Sequence, residues 1–215
     1  MRSFIAVFFS ALLFLNCSGG EAVKDSSGKK IISNDTLYLA GGCFWCVEAI
    51  YEQLKGVSCV ESGYANCIRK GKIDYDAVCS GNTGCAEVVK ICFDSTVVQY
   101  PTLLSVFFKT HDPTTLNRQG YDRGTQYRSG IYHNEEEKRK QAFLLIDSLN
   151  QAGVYDNPIV TEVMPLYNFY LAENYHQNYY KKNPENRYCQ KVIQPKEEKF
   201  RKVFSWYLKD TIKIK

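Results

Sequence analysis

Between Thr36 and Leu54 the chain changes its repeat. The run "TLYLAG" alternates with a period of two, as a half-buried strand does. After the pair Gly41-Gly42, the apolar residues Val47, Ile50, Tyr51 and Leu54 fall at i, i+3, i+4 and i+7. That spacing is one face of an amphipathic helix running from Cys43 to Leu54. A strand that hands over to a helix across two glycines restricts the chain to a fold mixing sheet and helix. It also sets "GGCFWC", residues 41–46, at the junction.

The remaining elements follow from the same periodicities. "VSCVESGYA" (57–65) and "AEVVKICFD" (86–94) read as strands. "PTLLSVFFKTH" (101–111) reads as a helix with Pro101 in its first turn. "TQYRSGIYH" (125–133) is a fourth strand, and Asn134 is expected to cap a helix that ends at Gly153. "NPIVTEVMPL" (157–166) is a last strand, followed by an aromatic, polar segment with a helical middle and an irregular tail. No helix is expected between the second and third strands. The order predicts an α+β, two-layer ferredoxin-like β-α-β-β-α-β sheet with helices on one face and an irregular C-terminal extension.

At 215 residues and 45% hydrophobic content the chain is long enough for one good core. The net charge of +4 is scattered rather than gathered in a stripe, so nucleic acid is not an expected partner. Residues 4–15, "FIAVFFSALLFL", are too short to span a bilayer and suit the apolar region of an export signal. The "FLNC" that closes this stretch resembles a lipoprotein cleavage site, with Cys17 as the acylated residue. Residues 1–17 are thus expected to be an export segment and 18–33 a polar tether. The catalytic domain is placed at 34–205 and a C-terminal tail at 206–215. The expected location is the cell envelope or periplasm, with the membrane reached through a lipid anchor only; a cytoplasmic location is the alternative.

Nine cysteines are present, an odd number that cannot all pair within the chain. Cys43 and Cys46 stand out. A cysteine at a helix N-terminus faces free backbone N–H groups and has its pKa lowered, which favours the nucleophilic thiolate. Cys46 lies one turn on, its Cβ ~5–6 Å away in ideal helix geometry, near enough for a reversible disulfide after modest adjustment. Zinc is not expected, because the other cysteines are too widely spaced to complete a site. A thioredoxin-like redox motif, a cysteine enzyme reducing an oxidised small group and a pair of buried structural cysteines all share this spacing.

Four stretches together resemble the A-type peptide methionine sulfoxide reductases: "GGCFWCVEAIYEQLKGV", "YDAVCSGNTGCAEVVKICFD", "LLSVFFKTHDPTTLNRQGYDRGTQYRSGIY" and "AENYHQNYYKKNP". The likeness runs from about Leu37 to Lys202. It implies a thiol-dependent enzyme that reduces free or peptide-bound methionine (S)-sulfoxide, repairing proteins under oxidative stress. By the resemblance Cys43 is the nucleophile, and Phe44 and Trp45 form the wall that receives the S-methyl group. Glu87 is the acid that protonates the departing oxygen. Tyr75 and Tyr127 hydrogen-bond that oxygen, and Asp122 supports the site. A glutamate on a β-rich apolar segment is a good candidate for a pKa raised by desolvation. Cys43 would become a sulfenic acid, resolved by Cys46 or alternatively by Cys189, and the disulfide would be reduced by a thioredoxin-like donor. No cofactor beyond that reductant and no metal is implied, and a monomer is expected.

The chain departs from the family pattern at two places. "ANC" stands where the family has a pair of glycines after "SGY", and Cys85 stands where it has a histidine. These thiols lie close to the motif residues, so disulfides among Cys67, Cys79 and Cys85 are open. His111 in "HDP" and His176 in "ENYHQNYY" are read as packing or hydrogen-bonding residues. A tethered thiol-disulfide exchange protein of the envelope is the alternative function. It has no need of Glu87 or the two tyrosines, which discriminates it. A non-enzymatic lipoprotein binding module is a more distant alternative.

Overall fold

In the computed structural model, which describes residues 34–210, the period-two run forms β1 (Asn34–Gly41). Leu37 and Leu39 on one face of β1 are fully buried, and Ala40 on the other face is buried as well. Gly42 turns the chain at φ +85°, a conformation open to glycine, and α1 (Phe44–Tyr51) starts two residues later. β2 (Val57–Ala65) and β3 (Ala86–Asp94) follow, then α3 (Tyr100–Thr110) with Pro101 in its first turn. Between β2 and β3 lies a short helix that periodicity does not announce, α2 (Tyr75–Cys79). Asp74 caps it, its carboxyl accepting from the Ala77 N–H at 3.0 Å.

The strand expected over 125–133 is split. Gly124 at φ 143° leads into a 3₁₀ turn over Thr125–Tyr127, and only β6 (Ser129–Tyr132) is extended. Just before the turn, β4 (Arg118–Gln119) and β5 (Asp122–Arg123) form a small hairpin. The helix α4 (Glu136–Gln151) begins after Glu135, not at an Asn134 cap; the Asn134 Oδ1 instead accepts from the Leu166 N–H at 3.0 Å. The last expected strand contracts to β7 (Glu162–Met164), and β8 (Phe169–Leu171) adds a further strand.

The main sheet has six strands in the order β7-β6-β1-β3-β2-β8. All neighbours are antiparallel apart from β6 and β7. Buried side chains of α1, α3, α4 and the C-terminal helix share one large core with Leu37, Leu39, Val89, Ile91 and Phe93. A second, small cluster of Ala40, Ala65, Ala86, Val88 and Tyr132 lies on the opposite face. The architecture is therefore a mixed sheet with its helices packed against one side. Among the described residues no helix is long and apolar enough to cross a membrane.

After Leu166 the expected helical middle holds only the short α5 (Tyr179–Lys182), and the tail expected to be irregular instead forms a π turn over Cys189–Ile193 and α6 (Gln194–Val203). Cys189, Ile193 and Phe200 are each no more than 1% exposed, an apolar stripe at helical spacing hidden among charged residues. Pro195 sits in the first turn of α6, where it does not break the helix. Packing also continues past residue 205, the expected start of the tail being part of the domain. Leu208 is buried and bridges Leu54, and the Lys209 N–H donates to the Gln53 carbonyl at 2.8 Å. The export segment, the tether and residues 211–215 lie outside the described residues, Cys17 with them.

Two disulfides tie β2 to β3: Cys59–Cys92 across the strands and Cys67–Cys85 at the end nearest α2. Cys43, Cys46, Cys79 and Cys189 are free thiols.

Candidate active site

Gly42 does more than turn the chain. A Cβ at that position would stand 2.5 Å from the Gln119 side chain, so the close approach of the 112–124 loop needs a glycine there. Cys43 then occupies the cap position of α1 and Cys46 the first turn, with the Cys46 N–H donating to the Cys43 carbonyl at 3.1 Å.

Both sulfurs are buried, and this corrects the expected chemistry at Cys43. Burial pushes its thiol well above the ordinary range, and the partner sulfur of Cys46 and the carboxyl of Glu87 act in the same direction. The helix start does not offset this. Its first free N–H, that of Phe44, is donated to Oε2 of Glu87 at 3.0 Å. Cys46 moves the other way, to about 7, chiefly because the Cys43 thiol hydrogen-bonds to its sulfur. The two thiols are hydrogen-bonded and titrate as a pair, so the first proton lost belongs to both sulfurs together.

Glu87 projects from β3, 2% exposed. Burial raises its carboxyl to about 8; the Phe44 N–H opposes the rise, while Asp122 and Cys46 add to it. The group is accordingly protonated at neutral pH. Tyr75 opens α2, and Tyr127 closes the 3₁₀ turn. Both hydroxyls are pushed above their usual range, first by burial, and stand as neutral donors. Asp122 is brought in by the β4–β5 hairpin.

A cleft of about 200 Å³ is lined by Cys43, Phe44, Trp45, Tyr75, Glu87, Asp122, Tyr127 and Tyr188. Seven of these are legible in the sequence motifs, and they come from five separate segments. Tyr188 is not. Its hydroxyl donates to Asp122 Oδ2 at 2.6 Å and lies 3.9 Å from the Cys46 sulfur. The only local signal for it is its position beside Cys189, and one tyrosine among 16 carries no mark of its own. Cys189, the alternative resolving residue, is fully buried beneath this segment, and burial raises its thiol.

His176 and His111 both make hydrogen bonds. Nδ1 of His176 accepts from the Trp45 indole N–H at 3.1 Å. The His111 ring reaches the Phe107 carbonyl at 2.7 Å and Ser129 Oγ at 2.8 Å, and burial lowers it to about 4. Away from the cleft, Asp35, His133 and Glu135 could together ligate a cation. Lys138 already pairs with both carboxylates, so a fixed positive charge occupies that space.

With this geometry in place, the relationships to known proteins are specific. A family profile described as "Peptide methionine sulfoxide reductase" matches residues 35–207. The chain is 52% identical over 170 residues to the peptide methionine sulfoxide reductase MsrA of Natronomonas pharaonis, covering 79% of this chain and 95% of that one. It is 51% identical to the MsrA of Trichodesmium erythraeum, covering 79% and 96%. Among solved structures, reduced Mxr1 of Saccharomyces cerevisiae superposes with a TM-score of 0.66 at 33% identity, covering 78% of this chain and 92% of that one. Methionine sulfoxide reductase A of Corynebacterium diphtheriae gives 0.65 at 32% identity, covering 76% and 82%. The chain belongs to the peptide methionine sulfoxide reductase family.

Proposed function

We infer that the family's reaction, thiol-dependent reduction of methionine sulfoxide, is carried out in this chain by Cys43 with Glu87 as its acid. The observation that carries the assignment is a neutral, buried carboxyl beside a buried thiol pair, in one cleft with two tyrosine hydroxyls. Phe44 and Trp45 receive the S-methyl group, and Tyr75 and Tyr127 donate to the sulfoxide oxygen. Asp122 and Tyr188 support the thiol pair, the Tyr188 hydroxyl being bonded to Asp122 and lying 3.9 Å from the Cys46 sulfur. Loss of one proton from the Cys43–Cys46 pair leaves the other shared along the S–H···S hydrogen bond, and its transfer to Cys46 leaves Cys43 as the thiolate during attack.

The steps balance without a cofactor. The sulfoxide oxygen passes to Cys43, which becomes a sulfenic acid, and methionine leaves as the thioether while Glu87 supplies the proton. The Cys46 thiol then condenses with the sulfenic acid; a disulfide forms and water is lost. A thioredoxin-like dithiol reduces that disulfide and is itself oxidised. Cys189 is the alternative resolving thiol. As the A-type resemblance implies, the S epimer is the one consumed. Disulfide exchange alone requires neither Glu87 nor the tyrosines, which argues against the thiol-disulfide exchange reading.

We read the central strands, β6-β1-β3-β2 and all antiparallel, as a ferredoxin-like core. We also propose that the chain is exported, acylated at Cys17 and held as a monomer at the cell envelope. The apolar run at 4–15 and the two disulfides, which belong to an oxidising compartment, support that location. Assay of the purified domain on a peptide containing methionine sulfoxide, with dithiothreitol, tests the reaction. Turnover that survives in Cys43→Ser would remove the assignment.

A further inference from the structure

Trp45 is held on three sides. The Tyr179 ring stacks on it with centroids 3.6 Å apart and planes 5° from parallel. Its indole N–H donates to His176 Nδ1, and the Tyr188 ring meets it edge-on. Two of these three partners come from one turn, residues 176–179. That turn contains Asn178 at φ 55°, ψ 35°, a left-handed conformation that asparagine tolerates better than most residues, and contacts from outside the turn hold it in place.

The support comes from two directions. Gln177 binds the turn to β2, its Nε2 donating to the Ser62 carbonyl and its Oε1 accepting from the Ser62 N–H, each at 2.9 Å. From α1, Oε1 of Glu48 accepts from the Asn178 N–H at 3.0 Å. Glu48 lies three residues beyond Trp45 on the same helix and is 1% exposed. It does not line the cleft. A carboxyl in such a place loses its hydration, and an apolar side chain would avoid that cost. Its bond to the turn accounts for its presence.

We propose that Glu48 is a positioning residue for substrate binding. By capturing the Asn178 amide it locks the turn that lays Tyr179 and His176 against Trp45, and so fixes the wall on which the sulfoxide's methyl group packs. The inference rests on Trp45 being that wall, as assigned above.

The test uses a Trp206→Phe background, because the chain has two tryptophans and this leaves Trp45 as the sole reporter. Glu48→Gln keeps an acceptor oxygen for the Asn178 N–H and should retain the parental KM and indole emission. Glu48→Leu should raise KM about tenfold, with the single-turnover rate at saturation little changed, the signature of lost ground-state positioning. Its Trp45 emission should change as the Tyr179 stack loosens. Tyr179→Leu should do the same, and the Glu48→Leu/Tyr179→Leu double variant should be no worse than either alone. Asn178→Gly, which relieves the left-handed strain, should restore part of the KM in Glu48→Leu. Parental KM and emission in a folded Glu48→Leu overturn the proposal, as does additivity in the double variant. Should Glu48→Leu fail to fold, an unchanged KM in Tyr179→Leu overturns it instead. The emission arm needs no substrate, so a failure of the catalytic assignment, seen as turnover by Cys43→Ser, is told apart from a failure of the positioning role.

Discussion

The backbone N–H of Phe44 is donated to Glu87 Oε2, at 3.0 Å, across 43 positions of sequence. This bond joins the start of the helix capped by Cys43 to the strand that carries Glu87, the residues proposed as nucleophile and acid. It also takes up the N–H that would otherwise favour a thiolate at Cys43. Burial accordingly favours the neutral forms of these two groups, Cys43 as a thiol and Glu87 as a carboxylic acid.

Glu87→Gln should slow sulfenate formation in a single turnover by roughly 10²–10⁴, the usual contribution of a general acid. In the parent that rate should decline as pH rises through about 8, where the acid ionises. Stability should move the same way. A carboxyl raised from 4.5 to about 8 binds more protons folded than unfolded, so parental stability falls between those values as pH increases. Glu87→Gln should flatten that slope in urea titrations, and an unchanged slope would mean that another group titrates.

Tyr188→Phe removes a hydroxyl that lowers the pKa of both sulfurs of the pair. The pH at which the pair loses its first proton should therefore move up. Ultraviolet thiolate absorbance across a pH series reads this directly. A midpoint that stays put or drops would exclude Tyr188 from the thiol site.

Cys46→Ser should complete one reduction and then stall with a thioredoxin system, while dithiothreitol restores part of the cycling by attacking the sulfenic acid. Cys189→Ser should behave nearly like the parent, because Cys189 is fully buried and is not among the residues lining the cleft. Mass spectrometry after one turnover should find Cys43 joined to Cys46. A Cys43–Cys189 crosslink as sole product would assign resolution to Cys189 instead.

Cys67→Ser/Cys85→Ser opens a disulfide spanning 18 positions and should cost about 3 kcal/mol of stability in the chain-entropy account. The loop it closes carries Tyr75, and Glu87 lies two residues past Cys85. Activity should fall along with the melting temperature. A double variant as stable as the parent would show that the clasp does not hold this loop.

Export can be checked apart from catalysis. Mass spectrometry of the membrane fraction should find a mature chain beginning at an acylated Cys17; full-length chain retaining Met1 in the soluble cytosol would sink that proposal.

Much of the fold can be read from local pattern. β1, α1, β2, β3 and α3 lie close to where periodicity puts them, because each alternates or repeats strongly enough to declare its buried face. The misses have physical causes. The strand expected at 125–133 is broken by Gly124, whose conformation no pattern announces. The apolar stripe of α6 is diluted by lysines and glutamates. Asn134 has the right side chain for a cap but is engaged by Leu166, a tertiary partner.

The site divides in the same way. Cys43, Phe44, Trp45, Tyr75, Glu87, Asp122 and Tyr127 are found by motif, since a motif is a local string and survives without the fold. The sequence alone determined the set of chemical groups and the strand-to-helix junction that carries the thiols. Only the tertiary structure decided their protonation states, the pairing of Cys67 with Cys85 and of Cys59 with Cys92, and the places of Tyr188 and Glu48. Burial and hydrogen bonding set these properties, and both arise from segments brought together only when the sheet closes and α1 packs against it.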